Sequence, residues 1–409
     1  MRRILTILAS LCVCVAAAAP ADDTPADLGP RLAPHVGAVI DLVELGTGKR
    51  FVRPTLAGVT ERKGGVTALR LVAEGETRTV SVPLAGIAKI VAGRETVFEK
   101  DDSGGGGPGL RGRRARDLAE KRRHESAERM QANGVEPWPA LTADEHAEQL
   151  AALEAFVADA QKAFPALQVT QTHEFVVATD IPAGQMAPYL ASLDAMHDFL
   201  CDLYGIPRGE PVWLGKCLVV AFVSEDDFHA FEGRFFEGAP RGVHGLCHQR
   251  SDGRVIMACH RGTDASAFAH MLVHETSHGF NHRWMSPVRL PNWLNEGIAE
   301  WVGTQVVPAC RQVPLKEARA LELMRTRRTV GEGFFDPGPD AHIQPDQYGI
   351  ASSLIRFMAA RDRKKFATFV QGIKEGLDVE TSLKESFRAS LDELLNAYGK
   401  AAGVPDLIR

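Results

Sequence analysis

The stretch "HMLVHETSHGFNH", residues 270–282, constrains this chain more than any other. His270, His274, His278 and His282 recur every fourth residue, which places them along one side of a helix. His274 and His278 can then bring two imidazoles to one ion, and Glu275, one step round, can hold a water on it. Eighteen residues beyond His278, "LPNWLNEGIAEW" puts Glu296 on a second apolar helix. A catalytic zinc takes three protein ligands and keeps one open position. His274, His278 and Glu296 form such a set, with one Zn2+ as the expected cofactor. Glu300, on the same helical face as Glu296, can accept the free N–H of a zinc-bound histidine and fix its orientation. A capped surface helix with incidental histidines is the competing reading, and it leaves Glu296 and Glu300 unexplained.

The rest of the chain must supply a scaffold for two such helices. A length of 409 residues calls for two or three folding units, and 45% hydrophobic with 24% charged residues is ordinary for a globular protein. Residues 1–21 read as a secretory signal peptide: Arg2 and Arg3, an apolar run over 4–19, then Ala19-Pro20-Ala21 before two aspartates. Export to the periplasm or the extracellular space is the expectation, with no stable membrane span after cleavage. Residues 30–100 alternate apolar and polar residues between glycine-containing turns, which predicts a small β module. Its "TRTVSVPLAGIAKI" is similar to the closing strands of SH3-like or Sm-like barrels. Residues 101–140 read as a linker, first glycine-rich and then charged.

From residue 141 to 409 the pattern is α+β. Thr142 and Glu145 form a capping box that opens a helix. Strand-like and helix-like segments then alternate as far as "VHGLCHQRSDGRVIMACH", a hairpin turning at Asp252-Gly253. Nearly everything after the histidine-bearing helix is helical. Five cysteines follow the signal: Cys201, Cys217, Cys247, Cys259 and Cys310. Cys247 and Cys259 are either neighbours across the hairpin or two buried thiols. With no CxxC pair, a thiolate zinc site is disfavoured.

HExxH followed by "WLNEGIAEW" resembles the gluzincin branch of zinc metallopeptidases, the peptidase-MA-like superfamily. The layout is also similar to a secreted bacterial domain family of unknown function within it. The interval between the two motifs is one residue shorter than in the aminopeptidases of that branch. The resemblance implies a zincin-like domain over residues 141–409, with a mixed sheet and active-site helix followed by a helical subdomain. It also implies a role for Tyr348, which starts "YGIASSLIRFM" and looks like the gluzincin tyrosine that hydrogen-bonds the oxyanion. Glu275 would be the general base, and the strand "RVIMACH" would be the edge along which an extended peptide aligns. His270 has a pocket role open to it. His244, His248 and His260 either face the cleft or are structural.

The reaction so implied is peptide hydrolysis by a zinc-activated water, with a peptide or protein as substrate. No "GxMEN" anchor for a free amine is present, which favours an endopeptidase over an aminopeptidase. Two alternatives remain open on the sequence: a catalytically silent gluzincin-like binding or scaffold protein, and a zinc hydrolase acting on a non-peptide substrate. A net charge of −5 gives no reason to expect nucleic acid as a partner, and no feature speaks to oligomeric state.

Overall fold

Alternating burial along the strands decides how the layers stack. The computed structural model describes residues 25–45, 50–62, 65–93, 95–99, 121–206, 210–335 and 342–409. The segment read as a signal, the glycine run and the first part of the basic stretch lie outside the described residues.

The N-terminal part begins with α1 (Pro25–Leu32), followed by seven strands. These are β1 (Leu42–Leu45), β2 (Arg50–Val52), β3 (Thr55–Arg62), β4 (Gly65–Val72), β5 (Thr79–Pro83), β6 (Ile87–Ala92) and β7 (Glu95–Glu99). They form two antiparallel sheets, ordered β2-β1-β6-β7 and β3-β4-β5. Leu28 and Leu32 of α1 pack with Val43, Leu56, Leu69, Leu71, Ile87 and Ile90 in a core of their own. The barrel expected from the sequence does not close. Among the described residues no strand of one sheet pairs with a strand of the other; Val39, ahead of β1, forms an isolated bridge with Thr55 of β3, and the two sheets share the apolar core. The physical reason lies in the edges: β2 is three residues long, and β5 is mostly exposed and ends in Pro83, which has no N–H to donate.

Residues 121–132 are helical (α2). The sequence placed them in a solvated linker, but here they are docked. Glu375, fully buried, accepts from Ser126 Oγ and Arg129 Nε. A buried carboxylate draws these donors in, so the charged stretch packs instead of extending into water.

The second part carries α3 (Ala143–Ala163), β8 (Gln168–Gln171), β9 (Phe175–Thr179), α4 (Ala183–Tyr204), β10 (Cys217–Phe222), α5 (Glu225–Phe235), β11 (Gly245–Gln249) and β12 (Val255–His260). The Thr142–Glu145 capping box forms as expected. The five strands make one mixed sheet in the order β11-β12-β10-β9-β8. The three inner strands are parallel, and the two outer ones are antiparallel to them. Period two sorts the side chains. Val176, Ala178, Leu218 and Val220 pack toward Val157, Phe228 and Phe231 of α3 and α5. Phe175, Val177, Val219 and Met257 pack toward Leu193 of α4 and Leu272 of the next helix.

That next helix is α6 (Ala265–Arg283), followed by α7 (Asn292–Val306), α8 (Gln312–Arg327), α9 (Tyr348–Arg361), α10 (Arg363–Lys374), α11 (Val379–Phe387) and α12 (Leu391–Ala401). The architecture is thus mixed α+β with a helical C-terminal half. Among the described residues no helix is long and apolar enough to cross a membrane.

One finer expectation is corrected. "RVIMACH" is not an edge: β12 is wholly buried and pairs with β10 on one side and β11 on the other. Its unbroken apolar run suits an inner strand, and β11 takes the edge. Cys247 faces Met257 across the hairpin, whereas Cys259 faces Gly245, so these two cysteines are diagonal. All five cysteines of the described residues are free thiols.

Candidate metal centre

α6 starts directly after the inner strand β12, so its start is fixed by the sheet. The Asp264 carboxylate accepts from the N–H groups of Ser266 (2.8 Å) and Ala267 (3.0 Å), capping the helix. Phe268, Leu272, Val273 and Phe280 of α6 join the core. Gly279 brings the helix close to the sheet: a Cβ there would lie 2.4 Å from Val255 Cγ1 and 3.1 Å from Cys247 Sγ.

α7 crosses α6 and is held by Trp293, Leu294, Ile298 and Val302, all buried. Gly297 lies under α9, where a Cβ would meet Ala351 O at 2.7 Å. The glycine of "NEGIAE" therefore sets the approach of α7 to the tyrosine-bearing helix. With α7 in this position, Glu296 points at the α6 histidines.

The Nε2 atoms of His274 and His278 are 3.1 Å apart. Glu296 Oε2 lies 3.3 Å from the first and 3.4 Å from the second. The two imidazole planes are inclined at 89° with centroids 4.7 Å apart, so the rings converge edge to face on one point. A tetrahedral ion with ligands at about 2.0–2.1 Å needs those ligands about 3.3–3.4 Å from one another. Two of the three separations fall there and the third, 3.1 Å, is slightly short of it, and among the described residues these atoms are the only such grouping of His, Cys, Asp and Glu atoms.

Electrostatics agree with this geometry. Burial alone would lower His278, but the adjacent Glu296 carboxylate outweighs it and raises the imidazole to about 9. Burial would raise Glu296, yet His278 and His274 hold it far below the usual carboxylate range. The cluster thus attracts positive charge. Burial pushes Glu275 up.

The centre opens into a cleft of about 470 Å³ whose walls include His274, Glu275, Glu300, Lys316 and Tyr348. Tyr348 is partly exposed at the start of α9. Burial, and then the charges of Glu296, Glu300 and Glu275, raise its phenol well above the ordinary value. The phenol therefore stays protonated at the wall of the cleft.

Glu300 is only 1% exposed and pairs with Lys316 of α8, and its Oε2 stands 3.5 Å from His270 Nε2. It is not within ion-pairing distance of His274, but that histidine's charge lowers its pKa after burial has raised it. Lys316 also lies 5.6 Å above the Tyr348 ring. His270 sits against Gly303 of α7, where an added Cβ would be 2.4 Å from Nε2. Burial pushes His270 down to about 4, so it is a neutral member of the wall. His244 and His260 also line the cleft, with ring centroids 4.7 Å apart. His248 does not, since it stacks on Phe236 and bonds Glu232 at 2.9 Å. His282 points elsewhere, to Arg250 O at 3.1 Å.

The sequence reading missed Lys316, Gln312 and Arg261, which also line the cleft. Lys316 stands 16 residues from its partner on a separate helix, and no local pattern marks it.

No family model matches the chain, and no curated protein matches it either.

Proposed function

We propose that the chain is an exported zinc-dependent metallopeptidase of gluzincin type, with a zincin-like domain over residues 141–409. The observation that carries this reading is the spacing of His274 Nε2, His278 Nε2 and Glu296 Oε2, which matches three corners of a zinc tetrahedron. These three residues would hold the ion, with His274 also at the wall of the cleft. When bound, zinc lowers the pKa of a coordinated water and polarises a carbonyl.

The chain's own residues then have distinct tasks. Glu275, raised by burial, takes a proton from the water and gives it to the leaving amine. Tyr348, protonated, donates a hydrogen bond to the oxyanion of the tetrahedral intermediate. Glu300, buried and paired with Lys316, keeps negative charge behind His274. β11, at the edge of the sheet beside α6, offers unpaired backbone groups to an extended peptide.

The test is to load the mature chain with zinc, remove excess ion, and measure bound zinc together with hydrolysis of a diverse peptide library. One zinc per chain with cleavage supports the reading. One zinc without cleavage of any peptide favours a binding protein, and no zinc overturns the assignment of the centre.

A further inference from the structure

His274 and His278 sit on α6 and Glu296 sits on α7, so the connection over residues 284–291 sets how the third ligand meets the first two. That connection is tightly turned. Met285 takes φ +62°, a left-handed conformation that a side chain other than glycine adopts at a cost. The turn leaves several carbonyls pointing inward with no helix to satisfy them.

Lys374, the last residue of α10, meets them. Its side chain is fully buried. Nζ donates to Ser286 O (2.5 Å), Val288 O (2.8 Å) and His282 O (3.4 Å), while Ser286 Oγ donates back to Lys374 O. An ammonium is the one side-chain group that offers three donors from a single atom. The planar guanidinium of arginine would spread them over a fork. A second clamp comes from Trp138, ahead of α3. Its N–H donates to Met285 O at 2.8 Å and its Nε1 to His282 O at 3.0 Å. Arg283 lies over the same indole, 5.3 Å from its ring centre. The carbonyls of residues 282, 285, 286 and 288 thus all receive donors from outside the connection.

Among the described residues no carboxylate pairs with Nζ. Glu375, next in sequence, is taken up by Ser126, Arg129 and Gln371. Burial and the nearby Arg283 lower the ammonium to about 7. An apolar residue of the same size would avoid the cost of burying the charge but would leave those carbonyls unpaired.

We propose that Lys374 is a positioning residue of the metal centre: by gathering the carbonyls of His282, Ser286 and Val288 it locks the α6–α7 connection and so holds Glu296 against His274 and His278. The proposal rests on the metal-site reading above. It gives the segment ahead of α3 a part in the same lock, through Trp138.

The test compares Lys374→Met, Trp138→Phe and Glu375→Gln with the unaltered mature chain. Zinc affinity is measured by competition with a chelator, the cobalt-substituted centre by visible absorption, and residues 284–290 by amide hydrogen exchange. Lys374→Met should bind zinc about tenfold or more weakly, shift the cobalt spectrum, and speed exchange over 284–290. Trp138→Phe should do the same to a smaller degree, and it keeps the ring if Lys374→Met fails to fold. Glu375→Gln should lower the melting temperature with zinc affinity and cobalt spectrum unchanged. Variants at Lys374 and Trp138 that lose only thermal stability, with affinity and spectrum intact, overturn the proposal. An unaltered chain that binds no zinc overturns the metal-site reading itself.

Discussion

His274 and His278 turn their Nε2 atoms toward each other at 3.1 Å, with Glu296 Oε2 within 3.4 Å of both. Two imidazole nitrogens that close cannot both carry a proton along the line between them. A shared cation at the common point removes the conflict. Replacing Glu296 by Gln keeps the shape and removes the charge, so zinc affinity should fall on the order of a hundredfold or more, and His278→Ala should do at least as much. Isothermal titration with a competing chelator checks both. Affinities within a factor of two of the unaltered chain would place the ion elsewhere.

The Glu300–Lys316 pair predicts a non-additive stability effect. Glu300 is almost fully buried, whereas the Lys316 side chain is 39% exposed. Lys316→Met leaves a buried carboxylate without its cation and should cost about 2–3 kcal/mol. Adding Glu300→Gln should recover most of that loss, and a double-mutant cycle by chemical denaturation measures it. Simple additivity would show that the pair is not coupled.

Gly297 predicts a packing effect. A methyl group there would come within 2.6 Å of Ile355 Cγ1 and 2.7 Å of Ala351 O. One of these neighbours is backbone and cannot move aside, so Gly297→Ala should lose about 2–3 kcal/mol, despite the higher helix propensity of alanine. Thermal unfolding that is unchanged or raised would contradict the close approach of α7 and α9.

Asp194 predicts a pH effect. Burial raises it to about 6, partly opposed by the Thr172 hydroxyl and added to by Glu174. An acid whose folded pKa lies above its unfolded one favours the fold when protonated. That contribution is complete below about pH 4 and is lost as pH rises through 6. Asp194→Asn keeps the acceptor for Thr172 and should raise stability by about 1–2 kcal/mol at pH 8, with the gap closing below pH 4. Denaturation at several pH values tests it, and a constant difference across the range would go against it.

The local parts of this account were legible in the sequence, and the long-range parts were not. Helix periodicity alone puts His274 and His278 on one face, and "NEGIAE" supplies Glu296 because the same periodicity holds on α7. Tyr348 at a helix start was readable for the same reason. Lys316 was not, because its meeting with Glu300 depends on how α8 returns across α7. The docking of α2 was hidden too. Its charged sequence reads as solvated until Glu375, 246 residues from Arg129, is seen buried beneath it. The edge position of β11 depends on β12 pairing with β10, which a hairpin signal does not reveal. The N-terminal part could be read as β-rich, but whether its sheets closed depended on edges as short as β2.

The central claim is that this centre activates water for peptide cleavage with Glu275 as base. One paired measurement tests it most directly: bound zinc and peptide hydrolysis for the unaltered chain and for Glu275→Gln. The account predicts equal zinc content and a loss of about 10²–10⁴ in kcat for the variant. Equal hydrolysis by both, at equal zinc content, would contradict it.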